Sequence, residues 1–527
     1  MTHVRCDVAI VGSGFAGSLL ARILATLGHD VVLLERGTHP RFAIGESSTP
    51  MANLTLERIG RRYGFTDCVD LATHGRWLAR RPELMRGLKR GFTFYRHHPG
   101  QELADRGLDS ERLLVAASPD DGIADTHWLR ADVDHHFVRE AIAAGVTYRD
   151  GVELAHATFD DDGADLAGHT RDRDAIGVRA RFVVDASGPG GFLAKQLAIP
   201  SHLHRTRTRS GLVFSHFDDV ALMADTMPGL PAGPYPDDWA AAHHILDEGW
   251  MYSLRFVDGV TSACILLSPH RGTARGAGST ADEIWSSTIG RYPTVSRLFA
   301  SARPRFPLKF IPQIQHRLAQ AAGERWALLP HAYAFVDPLF STGIAWGLRG
   351  VERIASAFEQ AKPGDGVPDQ ETLARYDALL AAEADQIDSL VAGAYQAMAD
   401  FGLFAAHAMI YFALVSFSEV QQRFAPDEDW AWSGFLGVGD PIGQSLVGES
   451  LRRLDAIVGT NAPIRSDAEP GEFAAWVEHA IEPRNIAGLA DPARHNLYPV
   501  DLDVLIARHA LLSMERDAVI DRLPLLR

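Results

Sequence analysis

Hydrophobic residues near the N-terminus fall into short, uninterrupted runs. Val8–Val11 is apolar at every position and leads at once into a glycine-rich turn, which is the pattern of a buried parallel strand entering a helix. A second apolar run, Val31–Leu34, ends in the polar residue Glu35. A strand, a helix of small and apolar residues and a second strand predict a β-α-β unit with a parallel sheet.

Later apolar runs predict how the rest of the chain is organised. We expect strands at 180–186, 211–216, 250–257, 261–267 and 326–329, a helix at 344–361, and a further helical stretch at 371–401. The strands at 180–186 and 326–329 extend the first sheet, whereas those between 205 and 310 form a second one. We therefore predict an α/β chain with a discontinuous Rossmann-like domain (1–204 and 311–365), an inserted β-sheet substrate domain (205–310) and a helical C-terminal region (366–527).

One apolar stretch is long enough to raise the question of a membrane. Residues 401–417 are interrupted only by Gly402, His407 and Ser416. This is slightly short of the roughly 18–20 residues that span a bilayer, and a helix apolar on all sides is typical of the core of a large protein. We predict a core helix and no transmembrane span, with docking to a membrane surface left open as an alternative.

Composition narrows the class of protein. The 527 residues are 46% hydrophobic and 22% charged, as in ordinary globular proteins. A chain of this length is too long for one hydrophobic core, so two or three domains are expected. The net charge of −16 argues against nucleic acid as a partner. The cysteines are Cys6, Cys68 and Cys264, a number and spacing that predict neither a disulfide framework nor a metal site. Without a signal-peptide pattern before the first strand, we expect a cytoplasmic location.

The first glycine turn predicts a dinucleotide site. Gly12 allows the tight turn, Gly14 lets the backbone approach a pyrophosphate, and Gly17 lets the helix pack on the strand. Glu35 stands where an acidic residue hydrogen-bonds a ribose hydroxyl. The ligand is therefore FAD or a nicotinamide dinucleotide.

Two further segments are candidates for contact with this ligand. Residues 45–48 read Gly-Glu-Ser-Ser and precede a predicted helix, and Arg130 begins another helix within reach of a diphosphate. Each has a plain structural alternative: the hydroxyls are also what a helix N-cap requires, and Arg130 could be a surface residue of a capped helix.

Taken in order along the chain, these motifs resemble the flavin-dependent halogenases, which share a hydroxybenzoate-hydroxylase-like fold. The resemblance covers residues 5–365 and rests on GSGFAG (12–17), GESS (45–48), RADVD (130–134), DASGPGGF (185–192) and, most specifically, DPLFSTG (337–343). It implies that the dinucleotide is FAD. The cofactor-binding residues that it implies are Gly12, Ser13, Gly14, Phe15, Ala16, Gly17, Glu35, Arg36, Gly45, Glu46, Ser47, Ser48, Arg130, Asp185, Asp337, Gly343 and Ile344.

The resemblance also implies where halide and oxidant are handled. Family members bind halide at backbone amides that correspond to Ser341, Thr342 and Gly343, and a glycine-containing turn at a helix start suits an anion. The family's catalytic lysine corresponds to Lys89. Only four lysines occur among 51 basic residues, and a lysine, unlike an arginine, can lose its proton. A solvated lysine at a strand edge is the structural alternative.

Some positions depart from the family pattern. The Trp-x-Trp-x-Ile-Pro signature, which separates flavin from substrate, reads here as Trp250, Tyr252, Leu254 and Arg255. The Gly-Asp that precedes DPLFSTG is replaced by Pro330-His331, and His331 could take over the flavin contact or be a packed loop residue. The glutamate that tryptophan halogenases carry is Phe340 here, so free tryptophan is not the expected substrate. Trp250, Tyr252 and Phe340 are predicted to line the substrate pocket.

These observations predict an FADH2- and O2-dependent halogenase that acts on an electron-rich phenol or pyrrole, free or carrier-tethered, through hypohalous acid and Lys89. The sequence shows no second β-α-β glycine fingerprint that would bind a nicotinamide, so reduced flavin is expected from a separate reductase. The alternative is that NAD(P)H binds transiently without a motif, as in single-component hydroxylases. Two alternatives stay open. One is an FAD-dependent monooxygenase or oxidoreductase of the same fold that does not halogenate, and the other is a non-catalytic flavoprotein scaffold.

Overall fold

The predicted β-α-β unit opens a mixed sheet. The computed structural model of the chain describes residues 2–103, 108–189, 191–271, 279–361, 366–426, 428–459 and 468–526. The strands of the first sheet, in spatial order, are Ala322–Gly323, Trp326–Leu328, Ala175–Asp185, Thr2–Val11, Val31–Leu34 and Thr147–Arg149. Gly163–Thr170 pairs antiparallel with Ala175–Asp185, and Val152–Asp160 pairs antiparallel with Gly163–Thr170. Ala175–Asp185 and Val31–Leu34 flank Thr2–Val11 in parallel register, as the apolar runs predict.

A second sheet has nine strands among the described residues. Its strands, in spatial order, are Arg303–Pro304, Gly211–Asp218, Thr261–Leu267, Gly249–Arg255, Ala241–Ile245, Gly91–Arg96, Arg112–Ala116 and Leu497–Tyr498, and Lys309–Ile311 pairs with Gly211–Asp218. The sheet thus takes strands from outside 205–310. Two-stranded ribbons join Arg86–Lys89 to Asp125–Trp128 and His316–Arg317 to Ala334–Phe335. The predicted boundary at 365 falls on residues outside the described part of the chain.

Helices fill the faces of the sheets and most of the C-terminal region. The α-helices are Phe15–Thr26, Pro50–Tyr63, Thr66–Leu71, His74–Arg80, Leu108–Glu111, Arg130–Ala143, Phe192–Gln196, Met223–Thr226, Ala281–Ile289, Pro293–Leu298, Pro330–Tyr333, Thr342–Glu359, Gln370–Ala397, Phe401–Phe424, Pro441–Val458, Ala468–Ala480, Leu502–Ala507 and Arg516–Arg522. Short 3-10 turns lie at Leu203–Arg205, Leu339–Ser341, Glu482–Arg484, Pro492–Arg494, His509–Leu512 and Leu523–Leu526.

The apolar helix Phe401–Phe424 is a core element. It is long and apolar enough to cross a membrane, but 72% of its most apolar window is buried inside the protein. It packs against Pro50–Tyr63, Gln370–Ala397 and Ala468–Ala480. Its aromatic side chains therefore face other parts of the protein, as a helix apolar on all sides predicts.

Candidate active site

The glycine turn leaves space where a dinucleotide would approach. A Cβ at Gly17 would lie 2.1 Å from the carbonyl oxygen of Gly12, and one at Gly12, where φ is +104°, would lie 2.5 Å from that of Ala186. Gly12 and Gly17 are therefore required by packing of the chain itself. A Cβ at Gly14 would meet nothing closer than 3.7 Å, so its glycine leaves room for a ligand instead.

A cavity of about 530 Å³ opens beside this turn. Most of the predicted ligand-contact residues line its wall, and they come from segments far apart in the sequence. The predicted site residues that line it are Gly14, Phe15, Ala16, Gly17, Gly45, Glu46, Ser47, Arg130, Trp250, Tyr252, Asp337, Ser341, Thr342, Gly343 and Ile344. The cavity wall does not include Gly12, Ser13, Glu35, Arg36, Ser48, Lys89, Asp185 or Phe340.

Glu35 and Asp185, two predicted cofactor residues outside the cavity wall, hold neighbouring loops in place through hydrogen bonds. Glu35 accepts hydrogen bonds from the backbone N and the hydroxyl of Ser13, both at 3.0 Å, and from Gly37 N at 2.7 Å. Burial opposes ionisation of Glu35, but these bonds outweigh it and lower the pKa of its carboxyl. Asp185 accepts from the backbone N atoms of Ser187 and Leu193 at 2.9 and 2.7 Å, which closes the turn after its strand.

Arg130 is fixed at the cavity wall rather than free in solvent. Its guanidinium makes two hydrogen bonds to Asp134, at 2.8 and 2.9 Å. It also donates to the carbonyl oxygens of Ile44 and Gly45, at 3.0 and 3.1 Å. Arg130 therefore joins the helix that it begins to the GESS loop, and the surface interpretation of this residue is not supported.

The predicted halide turn has an unusual backbone. Phe340 and Ser341 adopt positive φ angles of 66° and 54°, and the 18-residue helix Thr342–Glu359 begins immediately afterwards. The first amides of a helix have no carbonyl partner four residues back, and those of Thr342 and Gly343 belong to residues that line the cavity. Ser341 Oγ donates to Ser47 Oγ at 3.0 Å, which joins this turn to the GESS loop.

A buried hydrogen-bond network positions Trp250. Trp250 Nε1 donates to the hydroxyl of Tyr395 at 3.0 Å, and that hydroxyl donates to Asp337 Oδ2 at 2.9 Å. Ser210 Oγ donates to the same oxygen at 2.7 Å. Burial raises the pKa of Asp337 to about 6 despite these bonds. Tyr395 and Ser210, which sequence reasoning missed, therefore hold Asp337 and Trp250 in place.

Lys89 lies behind the wall of the cavity, in the protein interior. Its side chain is 0% exposed, and Nζ donates a hydrogen bond to Ser48 O at 2.5 Å. The same atom lies 4.0 Å from the centre of the Phe92 ring, a cation–π geometry. Burial lowers the pKa of the amine, and the charge of Asp125 opposes this. The alternative of a solvated lysine at a strand edge is wrong for this residue.

Aromatic rings connect Lys89 to the predicted halide turn (residues 340–343). Phe92 contacts Tyr411 and Phe412 edge-on, with ring centroids 6.2 and 5.3 Å apart. The ring of Tyr411 stacks on that of Phe340, with centroids 4.5 Å apart, and its hydroxyl donates a hydrogen bond to Phe340 O at 2.8 Å. We call Phe92, Phe340, Tyr411 and Phe412 the aromatic cluster. It places Phe340 away from Trp250 and Tyr252, with which it was predicted to share a pocket wall.

Buried polar atoms on the cavity wall fit a polar cofactor. Glu46 bonds His216 through Oε1 at 2.9 Å, but Glu46 Oε2 and His331 Nε2 are buried without a partner among the described residues. His331 Nε2 would lie 3.2 Å from a Cβ placed on Gly343. Buried polar atoms are normally hydrogen-bonded, so a ligand with donors and acceptors is the natural partner. The cavity, the Gly14 approach and these atoms fit FAD.

Comparison with known proteins decides the family. A family profile described as tryptophan halogenase matches residues 125–401, and one described as NAD(P)-binding Rossmann-like domain matches residues 10–57. The chain belongs to the flavin-dependent halogenase family. The predicted family, the enzyme class and FAD as the cofactor are thereby confirmed.

Individual relatives of this halogenase-family chain are distant. Tetracycline 7-halogenase of Kitasatospora aureofaciens is 32% identical over 347 residues, which are 64% of this chain and 60% of that protein. The alignment thus spans less than two thirds of that relative. Monodechloroaminopyrrolnitrin halogenase PrnC of Pseudomonas fluorescens is 27% identical, over 75% of this chain and 69% of PrnC.

Solved structures confirm the predicted fold. The crystal structure of halogenase PltM in complex with phloroglucinol and FAD superimposes with a TM-score of 0.73 over 98% of this chain and 96% of PltM. The sequence identity is 22%. The mixed α/β architecture, with a Rossmann-like domain and a helical C-terminal region, is therefore that of a solved halogenase structure.

Replacement of Gly14 by Ala is expected to weaken FAD binding by about tenfold or more while the protein stays folded. The added Cβ meets only ordinary contacts within the protein, but it fills the space through which the backbone approaches a pyrophosphate. Calorimetric titration with FAD measures the loss. Gly448→Ala, at an exposed helical glycine whose Cβ would meet no atom within 4 Å, is the matched control. FAD affinity equal to that of the wild type would contradict the predicted approach at Gly14.

Proposed function

We propose that this chain uses FADH2, O2 and a halide to halogenate an electron-rich aromatic compound of the phenol or pyrrole type. The observation that carries the proposal is the placement of Lys89. Its amine is buried behind the GESS loop at Ser48 and lies over Phe92, from which the aromatic cluster leads to the halide turn at Ser341. Reduced flavin, when bound, would reduce O2 by two electrons to the peroxide level, and that oxygen would oxidise the halide to hypohalous acid.

Residues of the chain bind the halide, orient the hypohalous acid and exclude water. The amides of Thr342 and Gly343 hold the halide, because they open a helix whose positive end faces the cavity. The amide of Ser341, which was also predicted to bind halide, instead donates to Pro338 O at 2.9 Å. Lys89 donates a hydrogen bond to hypohalous acid and orients its halogen towards the substrate. The aromatic cluster excludes water from this region, since water would compete for the electrophile.

Substrate class follows from the side chains around Lys89. Phe340 stands where a glutamate would bind an amino acid, and the neighbouring rings of Tyr411 and Phe412 offer an apolar surface. All three rings are buried and lie outside the cavity wall, so Phe340 provides no carboxylate there for the ammonium group of a zwitterion. PltM was crystallised with phloroglucinol, and PrnC is named a monodechloroaminopyrrolnitrin halogenase, which favours a phenol or pyrrole here. The proposal covers both a free substrate and one tethered to a carrier.

The proposal includes a separate flavin reductase and a cytoplasmic location. The chain carries a single glycine fingerprint of the dinucleotide type, at 12–17. The later turn at 185–189 is used by Asp185 to bind the backbone of its own strand-to-helix connection. Because no separate fingerprint is present for a nicotinamide, we propose that reduced flavin comes from a separate reductase; transient NAD(P)H binding without a motif is the alternative.

A monooxygenase without halogenation is the second candidate, favoured by the altered Trp-x-Trp-x-Ile-Pro segment. Tyr252 and Leu254 both line the cavity, whereas Arg255 donates to Val220 O at 3.1 Å. Trp250, however, keeps its buried position and its bond to Tyr395. The barrier residue of the halogenase signature is thus retained.

The experiment supplies the purified chain with FAD, an unrelated flavin reductase, NADH and O2, and offers phloroglucinol and pyrrole substrates with and without bromide. Halogenase activity predicts a brominated product that appears only with bromide, in an amount that saturates as bromide rises. Hydroxylated product at the same rate in halide-free buffer would instead establish the monooxygenase. Neither product from any substrate, with FAD bound and reoxidised, would favour the scaffold alternative.

A further inference from the structure

A carboxylate lies directly opposite Lys89 in the sheet. Strands Arg86–Lys89 and Asp125–Trp128 are antiparallel, and their register pairs Lys89 with Asp125. Residues directly opposite one another have Cβ atoms about 4.5–5.5 Å apart. Both side chains are buried, at 0% and 2% exposure. Two groups that are usually charged therefore share one water-poor compartment.

Neither group has all its hydrogen-bonding capacity used. Asp125 Oδ1 accepts from Asn53 Nδ2 at 2.8 Å, but Oδ2 is buried with no partner among the described residues. An ammonium has three donors, and the hydrogen bond recorded for Lys89 Nζ is the one to Ser48 O. The carboxylate thus acts on the amine through its charge, in a medium of low dielectric constant, rather than through a hydrogen bond.

The other groups that face this pair do not neutralise Lys89. His127 and His243 lie close to the amine, and burial, with the charge of Lys89 added, lowers the pKa of each to about 3, so both are neutral. On the Asp125 side, Glu419 pairs with Arg423 at 2.7 Å, and the phenol of Tyr411 is held neutral by burial, which raises its pKa. Asp125 is therefore the carboxylate whose charge reaches Lys89.

We propose that Asp125 is a positioning residue that keeps Lys89 protonated, so that its amine can donate a hydrogen bond to hypohalous acid. This role rests on the proposed function. Burial alone lowers the pKa of the Lys89 amine, and the negative charge of Asp125 raises it again. Burial raises the pKa of Asp125 in turn, and the charge of Lys89 lowers it. Each group thus stabilises the charged form of the other.

The consequence of removing the charge has a definite sign. In Asp125→Asn the oxygen that accepts from Asn53 is kept, whereas the negative charge is lost. The pKa of Lys89 then falls, so the amine loses its proton at a lower pH than in the wild type. The alkaline limb of the halogenation profile is expected to move to lower pH by about one unit or more, the usual effect of one close opposite charge. Asn53→Ala, which removes the bond that favours the Asp125 carboxylate, should shift it in the same direction by less.

The ionisation of Lys89 can also be followed without catalysis. The chain has only four lysines, so protein labelled with carbon-13 lysine gives few side-chain NMR signals, and Lys89→Met identifies the signal of Lys89. We expect its titration midpoint to fall in Asp125→Asn and to stay unchanged in Asp121→Asn, a control that removes an exposed carboxylate paired with Arg90.

The outcomes separate this inference from the proposed function. An unchanged Lys89 midpoint in both Asp125→Asn and Asn53→Ala would overturn the role of Asp125, whatever the enzyme makes. A lowered midpoint with an unmoved alkaline limb would instead overturn the need for protonated Lys89. The structure predicts that both the Lys89 midpoint and the alkaline limb move to lower pH in Asp125→Asn. The Asp121→Asn control should keep the wild-type values of both.

Discussion

Replacement of Lys89 by Met is expected to reduce halogenated product by about 10³-fold, the range that a single acid–base or hydrogen-bonding group contributes to catalysis. The amine is the group that the structure places between the GESS loop and the aromatic cluster. Methionine keeps the length of the side chain and removes a buried charge, so the packing over Phe92 is retained. Lys89 does not line the cavity, and FAD affinity should therefore stay near that of the wild type.

Product formation by mass spectrometry and FAD affinity by titration test this expectation together. Lys195→Met is the matched control, because Lys195 is an exposed lysine remote from the aromatic cluster. It should retain wild-type halogenation. A Lys89→Met protein that binds FAD and still halogenates at the wild-type rate would remove Lys89 from the mechanism.

The substitution Glu383→Gln is expected to lower the free energy of unfolding by roughly 3 kcal/mol or more, because it leaves a buried arginine without its counter-charge. Glu383 and Arg353 are both 0% exposed and are joined by two hydrogen bonds, at 2.7 and 2.5 Å. Glu383 also accepts from Trp346 Nε1 and from Phe435 N, at 2.9 and 2.8 Å. Trp346 belongs to the helix that begins at the predicted halide turn. Weakening of its hydrogen bond to Glu383 is therefore also expected to weaken the packing of that turn.

Denaturant unfolding measures this loss. Glu359→Gln is the comparison, because Glu359 pairs with Arg62 at the surface, where the two side chains are 21% and 44% exposed. Such pairs contribute about 1 kcal/mol or less. If both variants lose the same small amount, the buried pair does not have the structural role inferred for it.

Sequence patterns were sufficient for the flavin domain because its signals are local. Val31–Leu34 is a strand with the predicted bounds, and Thr49, next to the GESS motif, caps the helix Pro50–Tyr63 through its side chain. The glycine turn also predicted which position faces the ligand, because Gly14 alone of its three glycines leaves open space. These features depend on neighbours within a few residues, which a sequence displays directly.

The environment of Lys89 could not be predicted in the same way. Asp125 meets Lys89 through strand pairing across 36 positions, and Tyr411 reaches Phe340 from a helix whose apolar pattern indicates only burial. Nothing in the local pattern of Asp125 distinguishes it from a surface carboxylate. Phe340 was expected beside Trp250, but the positive φ at Phe340 and its stacking on Tyr411 turn it towards the aromatic cluster.

The most direct test of the central claim is a mass spectrum of the product formed under isotopically labelled O2 in bromide buffer. Halogenation through hypohalous acid and Lys89 predicts a product that carries the bromine isotope doublet and no labelled oxygen, because the oxygen leaves as water. A product that contains labelled oxygen and no bromine would contradict the account and establish a monooxygenase on the halogenase fold.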